Sequence, residues 1–327
     1  MLKRLTSRTR RRQAQPVSPS GNRAYIRYIY LAISVIALYV IVPQLSIFQH
    51  SLGLVRGARL GYVLAALSCN LMSYQFAALT YYCLAIKPLY YRPTWLVQVA
   101  SMFTNRLLPA GLGGMGANFV YLRRMRYSSV QALSMVGLNG ILGFVGHSLL
   151  VGGLLVFVTD ARRHVPTPHI SSGVLVGAFG LLTCLAVGIL AAPGLRRKLK
   201  IGLIDLRVSL MTYRRHPVRL LAALGSSMTL TVTNLLCLWL SVLAVGGNLG
   251  LVPVLLVLTF GVALGAVAPT PGGIGGFEAG LVAGFIAYRV PASQALAAVL
   301  IFRLINYWFS LLVGAMGFIA AQRRGYL

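Results

Sequence analysis

The sequence predicts an all-α polytopic membrane protein with about six full transmembrane helices and two re-entrant, broken-helix hairpins in an inverted repeat. Three observations carry this prediction. Hydrophobic residues fill 57% of the 327 positions and mean hydropathy is +0.79, well above a soluble domain. Several apolar runs exceed the roughly 18 residues that mark a spanning helix. Two further apolar stretches are each split by a Pro/Gly cluster of similar pattern, about half a chain apart.

Taken in order, residues 1–22 combine Lys3, Arg4, Arg8, Arg10, Arg11 and Arg12 with Pro16, Ser18, Pro19 and Ser20, and read as a disordered, membrane-proximal basic tail. A single transmembrane domain follows over 23–321. Its full spans fall near 25–42, 60–86, 129–158, 170–192, 219–245 and 292–321. The first lacks a small-residue cleavage site and reads as an uncleaved signal anchor. The broken stretches lie near 94–122 and 251–288. Residues 195–218 mix apolar and basic side chains, as an amphipathic helix on the inner surface does, with Asp205 solvated. A short basic tail, 322–327, ends the sequence.

The two breaks are related. Pro109-Ala110-Gly111-Leu112-Gly113-Gly114-Met115 faces Pro271-Gly272-Gly273-Ile274-Gly275-Gly276-Phe277 at an offset of 162 residues. Downstream, Ser129–Leu133 faces Ala292–Leu296, and Leu150-Val151-Gly152 faces Leu312-Val313-Gly314. Ordered matches at near-constant spacing predict internal duplication, with halves at about 60–158 and 219–321.

Charge decides how the broken stretches sit. If each enters the membrane and turns back at its cluster, 23 of the 30 basic residues share one side, 5 lie opposite, and Arg106 and Arg303 remain at depth. This is the positive-inside pattern, with both termini cytoplasmic and the surplus charge holding anionic inner-leaflet lipids. The two loops then enter from opposite faces, as inverted repeats in secondary transporters do. Half-helix N-termini at the loops offer oriented N–H groups to an anion. Gly113, Gly114, Gly275 and Gly276, with Gly111, Gly272 and Gly273, allow close approach of a ligand or a neighbouring backbone.

The net charge of +27 follows the membrane boundaries, so no nucleic-acid partner is expected. Cys69, Cys83, Cys184 and Cys237 lie inside apolar spans and form no close pair, as buried small hydrophobes do. His50, His147, His164, His169 and His216 are scattered without metal-ligand spacing. No acid/base pair or nucleophile triad is visible, so neither catalysis nor a cofactor is expected.

Of the three carboxylates, Asp160, Asp205 and Glu278, only Glu278 sits within an apolar stretch. Such a group is a functional-site candidate by default. Two readings stand: a first-turn carboxylate that caps a half-helix near Gly275, or a proton-coupling or headgroup-binding group. Arg303, too deep to snorkel, also has two: an ion pair with Glu278, or recognition of phosphate or carboxylate. Arg303, Asn306, Tyr307 and Ser310 share one helical stripe. Asn105, Arg106 and Asn118 flank the first loop as weaker counterparts, and Arg106 either serves the site or reaches the interface. Polar stripes at Asn70/Tyr74, at Ser227/Thr231/Asn234 and at Asn139/Gly143/His147 read as interhelical glue.

Pro-Thr-Pro-Gly-Gly-Ile-Gly-Gly-Phe-Glu (269–278), followed by Ala297–Tyr307 with Arg303 and Tyr307, resembles the second-half signature of the lysylphosphatidylglycerol synthase transmembrane (flippase-like) family. Asn105–Gly114 with Leu122-Arg123-Arg124 resembles its first-half signature, and the likeness covers about 25–321. The resemblance implies a bacterial plasma-membrane protein that moves a phospholipid or lipid-linked glycan between leaflets. The alternative is a non-transporting partner of a membrane glycosyltransferase or lipid synthase. Two departures stand out. Met115-Gly116-Ala117-Asn118 replaces an acidic and basic pair that relatives often carry, and Asn139 stands where relatives often have Arg. Ending at Leu327, the chain is expected to lack a soluble aminoacyl-transfer domain and to be no lysyltransferase.

Overall fold

A computed structural model describes residues 56–85, 87–108, 111–157, 213, 217–268 and 270–327. All of these belong to the unit Gln44–Leu327; the other unit, Met1–Pro43, lies outside them. The expected tail, the spans at 25–42 and 170–192, nearly all of the amphipathic segment, Asp160, Asp205 and Cys184 also lie outside the described residues.

The described elements are helical, and the long ones fall where apolar length requires. Helix α1 is Leu60–Leu84, α2 Tyr91–Leu107, α3 Leu112–Arg124 and α4 Ser129–Phe157. Helix α5 is Pro217–Ala244, α6 Leu251–Val267, α7 Gly276–Ala287, α8 Ala292–Arg303 and α9 Ser310–Arg323. A 3₁₀ turn at Pro271–Gly273 precedes α7, and a π turn at Leu304–Phe309 joins α8 to α9 without a break. Four of these helices, counting α8–α9 as one of 32 residues, are long and apolar enough to cross a membrane. The chain is a polytopic membrane protein.

The duplication read from the loops recurs in the element lengths. α1 and α5 have 25 and 28 residues, α2 and α6 both 17, α3 and α7 13 and 12, and α4 matches the 32-residue α8–α9 rod at 29. The mates α1 and α5 pack antiparallel. Arg59 N–H donates to the Ala244 carbonyl at one end, and Arg219 Nη1 donates to the Ala85 carbonyl at 2.9 Å at the other. Tyr213 Oη donates to the Leu84 carbonyl beside the latter.

Each short pair folds back on itself. Thr94 bonds Tyr121 near the base of the α2–α3 hairpin, Gln98 bonds Asn118 midway, and Gly113 presses on Thr104 at the tip. In the α6–α7 hairpin Gly284 faces Val257, Gly280 faces Gly261 and Gly276 faces Leu264. The base of the first hairpin lies where Lys87, Tyr127 and Arg219 gather, and Arg124 Nη1 donates to the Gly325 carbonyl there. The base of the second lies at the opposite end, where Trp239 Nε1 donates to the Leu249 carbonyl. The hairpins therefore enter the bundle from opposite ends, and their tips meet in the middle.

Small residues let the rods close on the hairpins. Gly314 and Gly317 of α9 lie against Phe103 and Val99 of α2, where a methyl group on either would come within 2.7 Å of its neighbour. Polar stripes act as expected of glue. Asn70 Nδ2 donates to Tyr74 Oη, to Ser310 Oγ and to the Ile305 carbonyl at 3.1 to 3.3 Å, and His147 Nε2 meets Thr259 Oγ1 at 3.0 Å. Asn70→Val is expected to cost about 1 to 2 kcal/mol, read as a lower melting temperature in detergent.

One sequence reading needs correction. The π turn widens the helix at 304–309, so Ser310 leaves the expected stripe and turns to Asn70 and Tyr74. Arg303, Asn306 and Tyr307 stay together on the inner face.

Candidate functional site

A cavity of about 370 Å³ lies where the two hairpin tips meet. Its wall takes Asn105, Arg106 and Gly111 from the first hairpin, and Gly265, Gly272, Gly273 and Phe277 from the second. Arg303, Asn306 and Tyr307 of the α8–α9 rod complete it. Backbone dictates the tips. Gly111 (φ +75°) caps α3 and Gly272 (φ +64°) lies within the 3₁₀ turn, conformations that side chains with a Cβ rarely adopt.

Glu278 satisfies both structural readings at once. Gly275 (φ +89°) is the N-cap of α7, and its N–H donates to Glu278 Oε2 at 2.8 Å. Arg303 Nε donates to the other oxygen, Oε1, at 2.6 Å, and Arg303 Nη2 lies at the same distance from Oε1. This is the only ion pair among the described residues, with side chains 8% and 20% exposed. The carboxylate already answers the positive end of α7, so that helix offers its first turn to Glu278 before any ligand. At the first tip Asn105 Oδ1 plays the equivalent part, accepting from Gly114 N–H at 3.3 Å.

Two guanidiniums face the cavity against this single carboxylate. Arg106 Nη2 donates to the Asn306 carbonyl in the π turn at 2.5 Å, and Nη1 donates to the Met102 carbonyl at 3.3 Å. Its Nε is buried with no protein partner. The Tyr307 ring stands between the two cations, 5.8 Å from Arg106 Cζ and 4.9 Å from Arg303 Cζ, and Phe277 covers Arg303 from 4.9 Å. Each such contact is worth about 0.5 to 2 kcal/mol. Aromatic faces and carbonyls hold the guanidiniums in place without cancelling their charge. One formal positive charge is left over, and an oxyanion is the ligand that suits it.

The structure sorts the residues the sequence singled out. Arg303, Asn306, Tyr307, Arg106 and Asn105 come together on one wall, and Glu278 anchors Arg303 from behind. Asn118 does not belong to the cavity. It is 4% exposed, accepts from Gln98 Nε2, and donates to Ser101 Oγ and the Gly114 carbonyl, so its bonding capacity is used within the hairpin. Gly113 and Gly276 lie against backbone at the tips, Gly114 lies against the Asn105 side chain, and Gly275 faces a second, separate crevice. Asn234, read as glue, accepts from Asn306 Nδ2 at 2.9 Å and so fixes a wall residue. Sequence reasoning missed Gly265 and Phe277. A Gly-x₃-Gly spacing at 261 and 265 is a signal that the two arms of that hairpin would meet closely.

The described residues of this polytopic membrane protein thus form paired helix hairpins, set among spanning helices, whose tips line a basic cavity. The sequence profile described as Lysylphosphatidylglycerol synthase TM region matches residues 28–314, so the chain belongs to that family. None of the curated proteins compared with the chain matches it.

Proposed function

We propose that this protein moves a phospholipid or lipid-linked glycan across the membrane, binding the headgroup phosphate in the cavity between the hairpin tips. The observation that supports this most is the convergence of Arg106 and Arg303 on one cavity with only Glu278 opposing them. Arg forks match phosphate oxygens, and a charge kept at membrane depth needs a task.

In this reading the hairpins are re-entrant. Helices of 17, 13, 17 and 12 residues are too short to cross singly, whereas each hairpin returns its chain to the end where it entered. Lys87, Arg92, Arg123, Arg124, Arg126, Arg219, Arg323 and Arg324 then lie at one face and Arg56, Arg59 and Arg289 at the other. The positive-inside rule makes the first face cytoplasmic, in a bacterial plasma membrane, where anionic inner-leaflet lipids gather. The protein acts without catalysis or cofactor.

A second reading has a specific observation behind it. Glu278 and Arg303 form an ion pair, as a purely structural pair would in a non-transporting partner of a glycosyltransferase or lipid synthase. Mass spectrometry of co-purified lipids separates the two. Arg106→Gln is expected to reduce enrichment of an anionic or glycan-linked lipid at least tenfold, because it removes the cation that no carboxylate opposes. Lipid content equal to the bulk membrane in both wild type and variant would move the partner reading ahead.

A further inference from the structure

A second cavity, of about 320 Å³, lies between α7 and α8. Gly275, Ala279 and Val282 form one wall, and Leu296, Leu300 and Leu304 the other. Its floor is the Glu278–Arg303 pair. Arg303 is the one residue that lines both this crevice and the polar cavity. The guanidinium is therefore a shared partition, with a basic, polar space on one side and a hydrocarbon-lined space on the other.

The crevice follows from residue size. Ala279 and Gly275 lie one turn apart opposite leucines, and a methyl group on Gly275 would meet nothing within 4 Å. Both are exposed, so the crevice has a mouth on the side of the bundle. Inside a bilayer, the natural occupant of the crevice is hydrocarbon. Yet the floor is a carboxylate whose side chain is 20% exposed, next to an arginine, an expensive arrangement if hydrocarbon alone were to meet it. A molecule whose anionic end reaches Arg303 while its alkyl chain lies along the leucines matches the guanidinium and the aliphatic walls.

We propose that the crevice between α7 and α8 holds the start of the lipid's hydrocarbon chain while its phosphate lies beyond Arg303 in the polar cavity. This rests on reading that cavity as the headgroup site. The substrate is thereby an amphiphile whose phosphate is attached close to its chain, as in a glycerophospholipid or a polyprenyl phosphate. It enters sideways through the mouth at Gly275 and Ala279. Its chain stays in apolar surroundings, and its phosphate displaces Glu278 from Arg303 on passing.

The test uses the full-length protein in nanodiscs, with phosphatidylglycerol or polyprenyl phosphate carrying a photoreactive group on the chain. Illumination of the wild type is expected to label Val282, Leu296 or Leu300, and the lipid that labels them identifies the source. Ala279→Leu fills the crevice from an exposed position. It is expected to lower that labelling and lipid co-purification about tenfold, while binding of glycerol 3-phosphate, a chainless headgroup, matches wild type. Labelling confined to other surfaces, or undiminished lipid in Ala279→Leu, overturns the crevice assignment and leaves the headgroup reading intact. Loss of the headgroup reading shows differently, as glycerol 3-phosphate binding that Arg106→Gln does not change.

Discussion

Glu278→Gln is expected to destabilise the protein by about 3 to 5 kcal/mol, measured as loss of folded protein on heating in detergent. Removing one member of a buried pair leaves the other charge uncompensated, and that term exceeds the value of the bond itself. Arg303 is nearly buried, with Nε and Nη2 both at 2.6 Å from Glu278 Oε1, and no second carboxylate lies beside it among the described residues. The Gly275 N–H loses its charged acceptor in the same substitution, which weakens the first turn of α7. The double variant Glu278→Gln, Arg303→Gln removes both charges and is expected to recover a large part of the loss. If the single variant melts with the wild type, the pair does not hold the second hairpin to the α8–α9 rod. Stability must be read before any loss of lipid binding in these variants is interpreted. For that reason Arg106→Gln, which breaks no ion pair, is the cleaner probe of ligand.

Gly113→Ala is expected to cost more than about 3 kcal/mol and to reduce folded yield sharply. A methyl group at 113 would lie 1.8 Å from the Thr104 carbonyl oxygen and 2.9 Å from the Asn105 nitrogen, both backbone atoms that no rotamer change can move. The arms of the first hairpin would have to part, and the Asn105–Gly114 bond and the Arg106 position would go with them. Gly116→Ala is the control. It lies in the same helix, exposed, with nothing within 4 Å of the added carbon, and is expected to stabilise by a few tenths to 1 kcal/mol. Equal melting temperatures for the two variants would show that the close tip is not required.

The comparison of these glycines shows how far sequence carries. Pattern alone separated the loop glycines from the rest, because a Pro/Gly cluster inside an apolar run has few physical explanations. It could not rank them. Gly113 meets a backbone, Gly275 supplies a cap and Gly276 meets Leu264, and these differences arise from the approach of a second segment. Asn118 and Arg106 teach the same point from opposite sides. Both flank the first loop, yet the fold turns Asn118 into the hairpin and Arg106 into the cavity.

What the sequence by itself determined is the class of protein, the position of the long helices among the described residues, the pairing of two broken segments and the choice of Glu278 and Arg303 as candidates. These follow from local quantities: apolar length, helix-breaking residues, the cost of a charge in hydrocarbon and the spacing of basic residues. Only the tertiary structure decided that Glu278 caps α7 and binds Arg303 together, and that a π turn delivers the Asn306 carbonyl to Arg106. It likewise decided that Arg303 divides a polar cavity from an apolar one. Each of these depends on which groups lie within about 3 Å of one another across segments up to 200 residues apart. Periodicity along one helix fixes the direction a side chain leaves it; the partner it meets is fixed by the packing of the others.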